Sequence, residues 1–182
     1  MTISQDKIAI NPLQWIATDD GWIDPALAPA LPERLKVIRE AGIGSVHAEV
    51  PADMTAADHG RLLEDHGPAP APGYIWSPLS EDETSLAELL DKTDRISSQM
   101  AELGLFHADI TERGRAESWT YRQTVPAGLW AEPGHTSVDI PATVAALPDT
   151  FDGWLVIEVD RGAQATPEEG VRLCGEWAQQ AY

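Results

Sequence analysis

The chain has 182 residues, 43% hydrophobic and 23% charged, which is ordinary usage for a packed domain and excludes global disorder. Twelve Lys and Arg stand against 30 Asp and Glu, a net charge of -18 that opposes broad contact with nucleic-acid phosphates and docking on anionic lipid. No apolar run approaches the roughly 20 residues of a membrane span, and MTISQDKIAI has no signal-peptide pattern. A soluble cytoplasmic chain is expected. The single cysteine, Cys174, excludes an intrachain disulfide and any paired-cysteine metal motif.

Strand-like and helix-like segments alternate along the chain. Residues Lys7 to Trp15 predict a first strand on the alternation of Ile8 and Ile10, with Asn11-Pro12 ending its regular part. A loop rich in Asp, Gly and Pro follows. Pro32 opens a helix with Leu31, Leu35 and Ile38 on one face and Gly42 as its stop. Ile43 to Val50 predicts the second strand, and Thr55 to Asp65 a short helix weakened by Gly60; His59 and His66 are expected at its surface. Gly67 to Pro72 (GPAPAP) is expected as a stiff connector before a third strand, Gly73 to Trp76.

The clearest helix spans Asp82 to Leu103, with leucines at helical spacing and Gly104 after it. Leu105 to Ile110 predicts the fourth strand, and Thr111 to Val125 is polar and helix-compatible. Ile140 to Leu147 predicts a short helix, and Gly153 to Val159 a last strand whose apolar run fits burial on both faces. Thr166-Pro167-Glu168-Glu169 is a capping box with proline at the first helical position, so a final helix starts there, with Cys174 on its apolar face. Five strands, nearly all separated by helices, imply an α/β fold of parallel βαβ units. A closed eightfold barrel typically takes about 250 residues, more than this chain has.

In parallel α/β sheets, functional groups gather at the C-terminal strand ends. That rule selects Asn11, Gln14 and Trp15; His47 and Glu49; Tyr74 and Trp76; His107 and Asp109; and Glu158 with Asp160. Carboxylates, imidazoles, amides and aromatics together suit a polar uncharged ligand such as a sugar, and the acids and imidazoles are of the kind that hold a divalent ion. Each has a plainer reading. Glu158 ends an apolar strand, where an acid is costly without a partner, and Arg161 could be that partner. Glu49 follows the same logic. His107 and Asp109, two apart on a strand, share a face as a metal pair would, or as a solvated face would. Asn11, Gln14 and Trp15 either bind ligand or cap the strand and pack. No GxGxxG, P-loop, HExxH or GxSxG motif occurs, so no nucleotide cofactor is expected.

Several segments are familiar in order. KIAINPLQW with its acidic Gly-Trp loop, IGSVHAEVP, APAPGYIWSPL, QMAELGLFHADI, RAESWTYRQTVPAGLWAEPGHTSVDIPATVAAL, FDGWLVIEVDR and TPEEGVRLCGEWAQ run through nearly the whole chain. The series resembles the sugar phosphate isomerase/epimerase family with a xylose-isomerase-like TIM barrel, most of all its inosose dehydratase branch. On this resemblance, 1–110 corresponds to the first four βα units and 111–182 to the C-terminal units of one incomplete barrel domain. About three strands are missing, with the metal-binding acid, Asp and His that they normally carry.

The resemblance implies a sugar or cyclitol isomerase, epimerase or dehydratase that moves a proton next to a carbonyl with a divalent ion (Mn, Mg, Co or Zn). Glu49 maps to the acid of the sugar pocket and is the candidate base. Glu158 matches the eighth-strand metal ligand, and His107 with Asp109 would stand in for lost ligands. Asn11, Gln14, Trp15, His47, Tyr74 and Trp76 would bind the substrate. A barrel short of three strands exposes sheet edges, so completion by self-association into a homodimer or other homo-oligomer is expected. The alternative is a non-catalytic sugar-binding or accessory subunit that has lost the metal site.

Overall fold

The computed structural model describes residues 3–18, 23–76, 83–105, 108–111 and 130–182. It is an α/β structure in which a parallel sheet is formed by β1 (Ile8–Asn11), β2 (Ser45–His47), β3 (Ala69–Ala71) and β6 (Leu155–Glu158), in the order β3-β2-β1-β6. A second parallel pair joins β4 (Gly73–Trp76) to β5 (Ala108–Thr111). The helices are α1 (Leu31–Glu40), α2 (Ala56–His66), α3 (Glu83–Glu102), α4 (Ile140–Ala145) and α5 (Pro167–Ala181). The last strand lies beside the first. The expected helix over Thr111 to Val125 falls almost wholly outside the described residues.

Strand register decides what each face carries. Ile8 pairs with Leu155, Ile10 with Ile157, and Ile10 with Val46, so these apolar side chains share one face. Leu35 and Ile38 of α1, Leu63 of α2 and Val171, Cys174 and Ala178 of α5 cover that face and form the core. Cys174 is therefore a core residue, as expected, and burial together with the charge of Glu132 pushes its thiol up to about 12. The opposite face carries Ala9, Ser45 and Val156 in one row. Asn11 and Glu158, which are register partners, stand in the next. The same register continued by one residue puts His47 beside Asn11.

The helix ends follow local chemistry. Thr55 caps α2 by accepting from the Asp58 N–H, Asp139 caps α4 through the Ala142 N–H, and Thr166 caps α5 through the Glu169 N–H. Gly42 ends the first helical region at φ 77, a conformation that side chains rarely adopt.

Four expectations are corrected. The first strand stops at Asn11, because Pro12 has no N–H for the ladder, and Leu13–Trp15 forms a 3-10 turn. The GPAPAP stretch contains strand β3. Ala69 donates to the Gly44 carbonyl and Ala71 accepts from the Ala48 N–H, so Pro70 and Pro72 turn their missing donors away from β2. The prolines thus permit the ladder on one side and blank the other until Gly73, where pairing with β5 begins. Third, β6 is not buried on both faces. Ile157 is buried, but Val156 is 38% exposed and Glu158 is exposed. Among the described residues β6 has one strand neighbour, β1. Fourth, His59 is 2% exposed rather than at the surface. Gly60 lets Leu103 come close enough that a methyl at 60 would lie 3.2 Å from its Cδ2.

Candidate functional site

The sheet face opposite the core carries a polar row at the C-terminal strand ends. Asn11 is 3% exposed, and its Nδ2 donates to Glu158 Oε2 at 2.6 Å and to Tyr74 Oη at 3.2 Å. The short first bond is of the charge-assisted kind and fixes one carboxylate oxygen. The Tyr74 ring stacks on the His47 imidazole, with centroids 5.1 Å apart and planes at 29°. Position 73 must be glycine for this arrangement, because a methyl there would lie 2.1 Å from His47 Nε2 and 3.1 Å from the Ala48 carbonyl oxygen. Burial lowers the His47 pKa to about 4, so the ring is neutral at pH 7 and one of its nitrogens can donate while the other accepts. Four strands thus contribute to one constellation: β1, β2, β4 and β6.

The other expected residues stand elsewhere. Gln14 and Trp15 are engaged with α5, on the helix-covered side. Gln14 Nε2 lies 4.0 Å from Cys174 Sγ, and the Trp15 indole donates to Glu168 Oε1 at 2.9 Å. That bond helps hold the Glu168 carboxyl below its usual range. The 3-10 turn after Pro12 carries both past the strand end by which they were selected. Glu49 lies beyond the end of β2 and is exposed; its charge acts on Arg34 of α1, whose pKa burial lowers and Glu49 partly restores.

Trp76 is the register partner of Thr111, and Asp109 that of Tyr74. His107 lies outside the described residues. Among the described residues no three His, Cys, Asp or Glu side chains come together as a metal site needs. The one described partner of Glu158 is an amide N–H donor, which presents a positive hydrogen rather than a ligand atom. Of the three expected metal ligands, Glu158 alone has a described side chain.

The chain matches no family model, no curated protein and no solved structure. The functional reading rests on the site itself. One buried acid was missed entirely. Glu132 is fully buried, and its Oε2 accepts from the Ala163 N–H at 3.3 Å and from Gln164 Nε2 at 3.2 Å. It sits in the loop segment Trp130-Ala131-Glu132-Pro133-Gly134, where no periodicity distinguishes a buried acid from a solvated one. No helix among the described residues is long and apolar enough to cross a membrane.

Proposed function

We propose that this chain binds an uncharged sugar or cyclitol over the Glu158, Asn11, His47 and Tyr74 row and moves a proton next to its carbonyl, as an isomerase, epimerase or dehydratase does. The 2.6 Å bond between Asn11 and Glu158 carries this reading. It orients an exposed carboxylate at the C-terminal end of a parallel sheet and leaves the second oxygen to take the proton. Neutral His47 supplies a hydrogen-bond donor for the carbonyl oxygen, where negative charge develops. Tyr74 adds a hydroxyl and a ring face. An uncharged ligand is favoured because none of the four residues of the row is a cation at pH 7. Lys7 pairs with Asp152 at the opposite ends of the strands. The net charge of -18 acts in the same direction.

The adjacency of first and last strands supports a finer architectural reading, a TIM-barrel-like sheet running β6-β1-β2-β3 and on through β4 to β5, completed by a second copy of the chain. Sedimentation equilibrium is expected to give a dimer. A monomer throughout the accessible concentration range removes the completion by self-association.

The catalytic test is solvent exchange. Ketoses and inososes incubated in D2O are expected to gain deuterium at the carbon next to the carbonyl, with Glu158→Gln slowing exchange about a hundredfold or more. Absence of binding to any neutral sugar or cyclitol, by ligand-observed NMR, defeats the proposal. Binding with no exchange, unaffected by chelator, selects a second reading, a non-catalytic sugar-binding module. The exposure of Glu49, the expected base, favours that alternative.

A further inference from the structure

We infer that Glu132 is a positioning residue for the polar row: it sets the path of the turn that follows Glu158. This rests on the row being the functional site. Glu132 comes from a segment distant in sequence, yet both donors on its Oε2, the Ala163 N–H and Gln164 Nε2, belong to the turn between β6 and α5. Ala163 is five residues beyond Glu158, and Val159 between them is buried. The other oxygen, Oε1, has no hydrogen-bond partner and is packed against backbone. A methyl on Gly162 or Gly170 would lie 2.5 or 2.7 Å from it. Two glycines are thus spent on admitting one carboxylate.

Filling space does not explain this arrangement. A buried acid with one unmatched oxygen is costly, and an apolar side chain would occupy the same volume at lower cost. A buried acceptor aimed at two N–H groups of one turn specifies the turn's course. The strand on the other side of the row is tied down in the same region. The turn after Asn11 is held by the bond from Trp15 to Glu168, in the first turn of α5. The Asn11–Glu158 bond therefore spans two strands whose outgoing turns are both anchored at the N-terminal part of α5, one by Trp15 and the other by Glu132.

The test reads the row without any ligand, so it stays decidable if the sugar reading fails. In the full chain labelled with 15N, the Asn11 side-chain NH2 resonances report its bond to Glu158, and amide exchange at Ala163 reports the anchor. Glu132→Met, which keeps the length of the side chain but has no oxygen to accept, is expected to speed exchange at Ala163 about tenfold, the change that losing one such hydrogen bond makes. It is also expected to shift the Asn11 NH2 resonances toward those of a solvated amide. Gln164→Ala, which leaves the buried acid in place, is expected to move both in the same direction by less. It serves as the deciding variant if Glu132→Met does not fold. Faster exchange at Ala163 with the Asn11 resonances unmoved would make Glu132 a loop anchor with no bearing on the row, and would overturn the inference. Unchanged exchange at Ala163 would overturn it as well.

Discussion

Gly175→Ala is expected to lower stability by roughly 3 kcal/mol or more, about a 10 °C fall in melting temperature for a chain of this size. A methyl at position 175 would lie 2.0 Å from the Ala41 carbonyl oxygen and 2.9 Å from its carbon. These are backbone atoms at the end of α1, which cannot swing aside as a side chain can. Either α5 withdraws from α1, opening the core between Leu35, Ile38, Val171 and Cys174, or α1 ends differently. The same movement breaks the bond from Gln179 Nε2 to the Ala41 carbonyl. Gly104→Ala is the matched comparison. Gly104 has φ 75 but nothing within 4 Å of an added methyl, so only backbone strain of about 1 kcal/mol is expected. Thermal unfolding of the two variants side by side decides the matter. Equal losses would mean that α1 and α5 do not pack this closely.

Acidification is expected to remove about 3 kcal/mol of stability through His47 alone. Its folded pKa is about 4, lowered by burial, against roughly 6.5 in the unfolded chain. Below about pH 6.5 the unfolded state takes up a proton that the folded state refuses. The contribution is therefore whole above pH 6.5 and is lost as the pH falls to about 4. His59, also buried and also lowered, acts with the same sign. Carboxylate titration overlaps this window, so the comparison is with His47→Gln, which keeps a polar side chain but cannot titrate there. Urea unfolding at pH 7.5 and pH 4 should show the wild type losing about 3 kcal/mol more than the variant between the two. Parallel losses would show that the His47 ring is solvated in the native state.

Much of the row was legible because it depends on parity. Strands reverse side-chain direction at every residue, and parallel strands in register put like positions on like faces. The acid and amide at positions 158 and 11, each ending an apolar strand, therefore had to meet once β1 and β6 were neighbours. His47 and Tyr74 were reachable by the same logic. Gln14 and Trp15 were not, because Pro12 stops the ladder and the 3-10 turn points both side chains toward α5. Glu49 follows the end of β2 at His47, so alternation does not fix the direction of its side chain. The burial of His59 is a matter of tertiary packing around α2, and the burial of Glu132 depends on two glycines from another part of the chain. Neither leaves a periodic trace.

The sequence by itself determined the alternation of strands and helices, the capping of the last helix by Thr166, the core position of Cys174 and the polar character of the strand ends. All of these are written in short-range periodicity and local backbone chemistry. Tertiary structure alone decided that β3 pairs through an alanine-proline stretch, that β6 is bordered by one described strand, and that the carboxylate at 158 is bonded by Asn11. Those outcomes turn on which strands become neighbours and how near two helices can pack, and such contacts join residues too far apart in the chain for any local pattern to record them.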